Sequence, residues 1–399
     1  MKIVDVAEFY ADLGGGVRTY INQKLAAAHA LGHEAVIIAP GPHDAEEHRP
    51  DGRILWVASP HEPLDKRYYR FVDQEKIWRL LDAERPDVVE GSSPWYGGRA
   101  VARWPGTALK SFIVHQDTVA VYPHTLLDRW LPVGTIDRLF GWFWAYLRRL
   151  NARYDTTITA GAWLGDRLRQ HGLRDVTAVP FGIDKSRFSP SLRDPDLRRE
   201  LLERCGLGPD ATLLLTVSRH HPEKRLGMLV RAVARANAQH PVGLVIVGDG
   251  PTRAWTERAA RRVPTVHIAG IVRDRQLLAR MMASADALLH GSAAETYGLG
   301  IAEALCAGLP LIVPNRGGAV DLAHPAYAEV YAPGDARDAA RAILRMAARD
   351  RAATTQAARA AAVSRVQTPE AHFMALFQHY AAVLAARGQA PHDALVSAA

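Results

Sequence analysis

Short β-branched and apolar runs alternate with longer amphipathic runs along almost the whole chain. Lys2–Val6, Thr212–Val217 and Gly243–Val247 are typical of buried strands, and Arg225–Gln239 is typical of the helix that joins two of them. Strands that alternate with helices in this way predict parallel βαβ units. In open sheets of this class, ligands bind beyond the carboxyl ends of the strands, so the loops there are the places to search for chemistry.

A turn-rich stretch from Pro180 to Pro190 interrupts the alternation, and the same pattern then starts again. Such a stretch predicts a crossing between two domains, and 399 residues are enough for two cores. We therefore predict an α/β protein with two doubly wound domains and a cleft between them. Residues 1–182 would form the N-terminal domain and residues 191–366 the C-terminal domain. The apolar face of a helix at 369–387 is expected to pack back on the N-terminal domain.

Composition narrows the function classes. Hydrophobic residues make up 48% of the chain, which excludes disorder as the main state. The net charge of +7 favours anionic partners, namely phosphorylated substrates, nucleic acid or an anionic membrane surface. The basic residues are spread over both domains, which argues against nucleic acid. Cys205 and Cys306 have no metal or disulfide spacing, and no signal peptide is evident, so we expect a cytoplasmic protein.

The densest motif runs from His290 to Asp321, where a predicted strand ends, a Gly/Ser/Ala loop follows and a helix begins. Glu295 lies in the loop and Glu303 about one turn into the helix. Free N–H groups at a helix N-terminus suit a phosphate. Carboxylates beside them can accept hydrogen bonds from the hydroxyl groups of a sugar or ribose. Either glutamate alone is ordinary on such a loop and helix, but the full string is not.

Two more loops follow predicted strands at the same end. Arg219 and Lys224 leave the carboxyl end of the strand at 212–217, where two cations can stabilise a departing diphosphate. A solvated basic turn is the plainer interpretation of those two residues taken alone. The glycines at 14–16 follow the first strand and let the backbone approach a ligand before a helix. A simple turn would also explain them.

These motifs together resemble those of retaining glycosyltransferase family 4, whose members have the GT-B fold and use nucleotide sugars. The resemblance covers VSRHHPEKR, VGDGP and PFGID as well as the glycine loop, and so extends over nearly the whole chain. In the overall pattern of its sequence, the chain is most similar to bacterial GDP-mannose-dependent α-mannosyltransferases. The matched positions of the densest motif are Ser292, Glu295, Tyr297, Gly298, Glu303, Ala304, Gly308, Pro310, Gly317 and Gly318.

The resemblance implies a role for each residue of the donor site. Glu303 would hold the nucleotide ribose, and Glu295 would contact the hydroxyl groups of the donor sugar. The backbone amides of Tyr297, Gly298 and Leu299 would hold the sugar and diphosphate, and Arg219 and Lys224 would neutralise the diphosphate.

Other implied contacts lie around the acceptor and the base. Gly15 and Gly16 would face the donor phosphate, and His115 would lie near the reacting sugar. Ile271, just after a predicted strand, is a candidate floor for the base, although it could equally be part of an ordinary apolar loop. Arg18 and Asp117 are candidates for the acceptor side. The implied catalytic set is Glu295, His115, Arg219 and Lys224.

We expect neither metal nor cofactor, because Asp194-Pro195-Asp196, which matches a D-x-D pattern, opens a helix where acidic residues complement the dipole. The segment Arg129–Tyr154 interleaves aromatic residues with arginine. It could contact an anionic membrane at the inner face of the plasma membrane, or it could be a packed helix with a basic outer side.

The function that follows is transfer of a hexosyl unit, expected to be mannose from GDP-mannose, to a lipid, a lipid-linked glycan or a saccharide. A UDP-sugar-dependent glucosyl- or N-acetylglucosaminyltransferase of the same fold, or a GT-B epimerase, is the alternative. A nicotinamide oxidoreductase is disfavoured, because the glycine loop lacks the G-x-G-x-x-G spacing.

Overall fold

The chain forms two compact units in a computed structural model that describes residues 1–10, 16–63 and 65–388. The first unit contains Met1–His115, Phe140–Pro180 and the chain from Pro369 onward, and the second contains Gln116–Leu139 and Phe181–Thr368. The sequence prediction placed residues 116–139 in the first domain, whereas they pack with the second unit.

The first unit is built on an eight-stranded sheet with the strand order β10-β9-β8-β7-β1-β2-β4-β3. Its strands are parallel except β3, which forms an antiparallel hairpin with β4. A separate two-stranded hairpin contains β5 and β6. The strands are Lys2–Val6 (β1), Glu34–Gly41 (β2), Ala45–Arg49 (β3), Gly52–Ala58 (β4), His61–Glu62 (β5), Asp65–Tyr69 (β6), Val88–Gly91 (β7), Leu109–Val114 (β8), Thr156–Thr159 (β9) and Val176–Ala178 (β10).

Helices connect these strands, as the parallel order requires. Those of the first unit are Gly16–Ala30 (α1), Gln74–Glu84 (α2), Tyr96–Arg103 (α3), Gly141–Asn151 (α6), Ala162–Gln170 (α7) and Pro369–Ala386 (α16). The last of them, α16, packs on this unit. Its Phe373, Leu376 and Tyr380 share a core with Ile3 and Leu25.

The second unit has a six-stranded sheet, parallel throughout, with the order β13-β12-β11-β14-β15-β16. Its strands are Thr212–Val217 (β11), Val242–Val247 (β12), Val266–Gly270 (β13), Ala287–Leu289 (β14), Leu311–Pro314 (β15) and Ala328–Tyr331 (β16). Its helices are Thr125–Leu127 (α4), Val133–Leu139 (α5), Pro195–Arg204 (α8), Leu226–Ala236 (α9), Arg253–Ala260 (α10), Arg275–Ser284 (α11), Leu299–Cys306 (α12), Ala319–Leu322 (α13), Ala336–Ala347 (α14) and Arg351–Arg365 (α15). A π-helical turn, Ala120–His124, precedes α4.

The aromatic segment 129–154 is not one helix. The sequence pattern predicts a single helix over Ile136–Arg153, but Phe140 has a non-helical backbone (ψ 20°), and a new helix starts at Gly141. In α6, Phe143 and Trp144 are buried in the first unit, as a packed helix requires. Among the residues the structure describes, no helix combines the length and apolar character needed to cross a membrane.

A buried ionic network joins α1, the central strands and α16. Asp5 on β1 and Glu90 on β7 are direct register partners, so two carboxylates face each other inside the sheet. The ammonium of Lys24 donates to Asp5 Oδ2 at 2.6 Å and also to Glu90. The hydroxyl of Tyr380 donates to Glu90 Oε1 at 2.7 Å. Burial by itself lowers the pKa of Lys24, but the two carboxylates outweigh it and raise that pKa above its usual value.

We expect Lys24→Met to lower the free energy of unfolding by about 3–5 kcal/mol, because it leaves two buried carboxylates without a cation. Denaturant unfolding measures the loss. Adding Glu90→Gln should recover part of it, since the two sites are in contact. Lys76→Met, at a partly exposed ion pair on α2, is the control and should change stability by about 1 kcal/mol or less. Equal losses for Lys24→Met and Lys76→Met would contradict the role assigned to Lys24.

Candidate donor-binding site

The second unit has a topological switch point between β11 and β14. From β11 the chain continues to β12 and β13 on one side of the sheet, then crosses to β14 on the other side of β11. The loops after β11 and β14 therefore leave the same edge in opposite directions and open a crevice between them. The two densest sequence motifs are these two loops.

Lys224 and Glu295 meet at this switch point. Lys224 ends a short 3-10 turn, Pro222–Lys224, in the loop after β11, and its ammonium donates to Glu295 Oε1 in the loop after β14. Glu223 lies 3.3 Å from the same ammonium. Arg219, exposed in the same loop, is close enough for its charge to lower the pKa of Glu295. Three of the predicted residues are therefore together.

The pair is ionised on both sides. Burial alone lowers the pKa of Lys224, but Glu295 and Glu223 raise it above the usual lysine value. Burial likewise raises the pKa of Glu295, yet the charges of Lys224 and Arg219 hold it below the usual value. An ammonium and a carboxylate are thus fixed at the crevice, where charge on a ligand would be stabilised without rearrangement.

His290 is a member of the site to which the sequence assigns no role. It follows β14 directly, is buried, and has its Nε2 3.4 Å from Glu295 Oε1. Burial lowers its pKa to about 4, so the ring is neutral at physiological pH. In the sequence, the only indication that His290 belongs to the site is its position at the start of the motif.

Gly317 and Gly318 explain why the motif extends so far beyond the glutamates. The Gly318 N–H donates to the backbone carbonyl of Glu295 at 2.6 Å. A Cβ at Gly318 would lie 2.5 Å from the backbone of Thr296, and a Cβ at Gly317 would lie 2.8 Å from the Ala293 carbonyl oxygen. The two glycines allow a close approach that holds the Glu295 loop in place.

The helix α12 begins beside this loop. Gly298 is its N-cap with φ of 90°, a conformation that favours glycine, and no side chain caps the N-terminus. Tyr297 is buried with its ring edge-on to Phe181 at 5.9 Å, while the side chain of Leu299 is 38% exposed. No side-chain acceptor of the described residues therefore occupies the N-terminal N–H groups of α12, which leaves them available to an anion.

Glu303 lies in the first turn and a half of α12. Burial raises its pKa, and Arg275, at 3.9 Å, partly offsets that effect. Ile271, in the loop after β13 at the same sheet edge, has a side chain that is 59% exposed. Nearby, Ser218 Oγ and both ring nitrogens of His220 are buried and form no hydrogen bond within residues 1–10, 16–63 and 65–388. Unsatisfied buried polar groups are unusual outside functional sites.

The remaining predicted residues belong to other parts of the fold. Gly15 lies outside the described residues, Gly16 begins α1, and Arg18 lies in the first turn of that helix. Asp117 packs with the second unit, where its carboxylate accepts from the Ala120 N–H at 2.9 Å and so caps the following turn. The acceptor-side roles of Arg18 and Asp117 stay predictions.

His115 follows β8 in the first unit and packs against Tyr20, with ring centroids 5.4 Å apart. Burial lowers the pKa of His115 to about 4. His372 of α16 contacts the Pro180 carbonyl oxygen through Nδ1 at 2.8 Å and the Tyr20 hydroxyl through Nε2 at 3.3 Å. A carbonyl only accepts, so Nδ1 carries the proton and Nε2 accepts from Tyr20. Sequence motifs could not reveal Tyr20 and His372 as neighbours of His115, because they come from distant segments.

No group of three or more His, Cys, Asp or Glu side chains suited to a metal ion occurs among the described residues. In the D-x-D stretch, Asp194 accepts from the N–H groups of Asp196 and Leu197, both at 3.0 Å, and caps α8.

The depressed pKa of His290 predicts a pH-dependent stability. In the unfolded chain a histidine takes up its proton near pH 6.5, whereas folded His290 does so near pH 4. Its contribution is therefore complete above about pH 6.5 and is lost as the pH falls towards 4. His290→Asn should flatten the slope of unfolding free energy against pH by at most about 1.4 kcal/mol per pH unit, measured by urea unfolding. The same substitution at exposed His48 controls for loss of an imidazole. Parallel slopes for wild type and His290→Asn would contradict the assignment.

Two family models match the chain, one in each half. A model described as "Glycosyltransferase Family 4" matches residues 14–187, and one described as "Glycosyl transferases group 1" matches residues 211–349. A GDP-mannose-dependent alpha-mannosyltransferase of Mycobacterium tuberculosis is 32% identical over 82% of this chain and 82% of its own length. A GDP-mannose-dependent alpha-(1-6)-phosphatidylinositol dimannoside mannosyltransferase of the same species is 30% identical over 78% of this chain and 79% of its own.

Solved structures agree on the fold. A sucrose-phosphate synthase from Thermosynechococcus elongatus superposes with a TM-score of 0.72 at 21% identity, covering 96% of this chain and 99% of that one. Anabaena HepE in complex with UDP-glucose gives a TM-score of 0.68 at 18% identity, covering 97% and 100%. The predicted two-domain α/β architecture of the GT-B type is confirmed, and the chain belongs to glycosyltransferase family 4 and is a glycosyltransferase.

Proposed function

We propose that the switch point of the second unit binds the diphosphate and sugar of a nucleotide-sugar donor, and that the enzyme transfers a mannosyl unit from GDP-mannose with retention of configuration. The observation that carries this proposal is the ionised Lys224–Glu295 pair, fixed between β11 and β14 beside the N-terminus of α12.

The diphosphate is assigned to the cationic side of the crevice. Lys224 is held protonated by its carboxylate neighbours, and Arg219 projects from the same loop with an exposed side chain. The uncapped N–H groups of α12 add the positive end of a helix dipole. Two cations and a helix N-terminus can neutralise the charge that builds up on a leaving diphosphate, so the proposed reaction requires no metal.

The sugar and nucleoside are assigned to the acidic side. Glu295 keeps one carboxylate oxygen, Oε2, outside its pair with Lys224 and can accept a hydrogen bond from a sugar hydroxyl. Glu303 lies in the first turn and a half of α12, where it can accept from the two ribose hydroxyl groups. Ile271, with its exposed apolar side chain after β13, provides a surface for the base.

The identities of the donor and the acceptor are assigned from the names of the relatives and not from the geometry of the site. The mycobacterial relatives are named for GDP-mannose, and one is named for a phosphatidylinositol dimannoside acceptor. We therefore assign GDP-mannose as donor and a lipid or glycan hydroxyl as acceptor. Arg18 and Asp117 are the candidates for contacts with the acceptor, Gly15 and Gly16 for contacts with the donor phosphate, and His115 for a contact with the reacting sugar.

The proposed chemistry is a front-face displacement. The bond between the anomeric carbon and the diphosphate oxygen breaks, and the acceptor hydroxyl oxygen forms the new bond on the same face. The proton of that hydroxyl passes to the leaving diphosphate oxygen, so the products are a glycoside and a nucleoside diphosphate. Arg219 and Lys224 stabilise the leaving group, and Glu295 and His115 orient the sugar and stabilise its positive charge.

Glu295→Gln and Lys224→Ala should each reduce turnover about 10²–10³-fold, because each removes charge aligned with the transition state. Steady-state transfer from GDP-mannose to a glycolipid acceptor measures the loss, and circular dichroism checks the fold. Glu329→Gln, which changes a partly buried carboxylate on β16 that pairs with Arg345, is the matched control. Near-normal turnover of folded Glu295→Gln and Lys224→Ala would refute the site.

A thermal-shift panel of GDP, UDP and their sugars identifies the base. A ligand that binds only the folded state raises the Tm by mass action, so GDP and GDP-mannose should raise it more than UDP and UDP-glucose. Glu303→Gln should reduce the GDP-induced shift because it removes a charged acceptor for the ribose. A shift with UDP alone would show that the donor is a UDP-sugar and not GDP-mannose. No shift with any nucleotide would contradict the donor site. Free epimerised sugar instead of glycoside in the product would identify an epimerase.

A further inference from the structure

A second, arginine-rich groove lies within the second unit, apart from the proposed donor site. It has a volume of about 710 Å³ and is formed by the turn after α4, the exposed side of α9 and the start of α14. Five arginines line it, against two aspartates: Arg129, Arg225, Arg231, Arg235 and Arg337.

Both aspartates are already neutralised or engaged. Asp128 Oδ2 accepts from Arg225 at 2.6 Å and from Arg316 at 2.7 Å. Asp335 caps α14 by accepting from the N–H groups of Arg337 at 2.7 Å and Asp338 at 3.1 Å. With five arginines against two aspartates, the groove keeps a net positive charge even though both carboxylates are counted.

The other four guanidinium groups have no acidic partner. Arg129, Arg231, Arg235 and Arg337 are exposed, and within the described part of the chain none of them forms an ion pair. Four unpaired guanidinium groups around one groove repel each other, which is unfavourable unless an anion joins them.

We propose that this groove binds a phosphate-bearing ligand at a site distinct from that of the nucleotide-sugar donor. Guanidinium groups bind phosphate oxygens in pairs of parallel hydrogen bonds, which is why arginine rather than lysine predominates at such sites. Arg231 and Arg235 are one helical turn apart on α9, so both face the same groove. The proposal does not depend on the donor or the reaction of the crevice.

Two adjacent residues of one loop belong to the two different sites, one to the donor site and one to the arginine-rich groove. Lys224 pairs with Glu295 in the loop after β14, whereas the next residue, Arg225, with φ of 50°, pairs with Asp128. A ligand on the arginine groove would therefore contact the residue next to a donor-site cation without occupying the donor site.

The phosphate has two possible sources, a lipid headgroup or a free phosphorylated molecule. Leu126 and Trp130, beside the groove, have exposed fractions of 60% and 64%, and Arg129 stacks over the Trp130 ring at 4.1 Å. Exposed apolar and aromatic side chains next to arginines suit a bilayer interface. The experiment separates the two sources.

The test compares wild type with Arg231→Glu/Arg235→Glu. Arg359→Glu/Arg365→Glu, two exposed arginines of α15 in the same unit, is the matched control with the same change in charge. Co-sedimentation with phosphatidylglycerol vesicles, and with phosphatidylcholine vesicles as reference, measures headgroup binding. Titration with inorganic phosphate, followed by ³¹P NMR, measures free phosphate. Circular dichroism and thermal unfolding show that all three proteins are folded.

We expect the groove variant to lose roughly tenfold or more in affinity for one of these probes, while the control stays within about twofold of wild type. Loss confined to phosphatidylglycerol vesicles identifies a lipid headgroup, and loss confined to inorganic phosphate identifies a free phosphorylated ligand. Equal losses of affinity in the groove variant and the control would show that the effect comes from net charge alone, and would overturn the proposal. Failure of wild type to bind either probe would also overturn it.

Discussion

The ion pair between Lys224 and Glu295 is the interaction on which the site depends. A lysine after β11 and a glutamate after β14 can meet only because the two strands are neighbours at the point where the chain reverses its direction across the sheet. Burial gives the pair its importance, because burial opposes the charged form of both groups and the charge of each partner favours the charged form of the other. The site thus holds a cation and an anion in fixed positions before any substrate arrives.

The first unit places a similar arrangement at its own switch point. Asp5 and Glu90 face each other on β1 and β7, the neighbouring strands at which that sheet changes direction, and Lys24 joins them. The difference is exposure. Lys24 is completely buried, whereas the side chain of Lys224 is 15% exposed. One arrangement therefore stabilises the sheet, and the other remains accessible to a ligand.

Local sequence patterns were enough to predict the residues of the site that follow the carboxyl ends of strands. Parallel strands bring their carboxyl ends to one edge, so Arg219, Lys224 and Glu295 could be placed together from the sequence, and Glu303 follows because it lies on the next helix. The helix α15 was not predicted, because its buried residues are small, Thr354 and three alanines among them, and give no periodicity of large apolar side chains. The break at Gly141 was missed because the apolar spacing continues through it.

Contacts between distant segments could not be predicted from local patterns. Residues 116–139 pack with the second unit, where Asp128 pairs with two arginines that follow it by many residues, and no periodicity in the segment indicates that partner. His372 reaches Tyr20 in the same way, from one end of the chain to the other.

A crystal structure with a bound nucleoside diphosphate sugar tests the central claim most directly. The account predicts diphosphate oxygens within hydrogen-bond distance of Arg219 and Lys224, the ribose on Glu303, and a sugar hydroxyl on Glu295. A nucleotide bound elsewhere in the second unit, or beyond the strands of the first unit with the Lys224–Glu295 pair untouched, would contradict it.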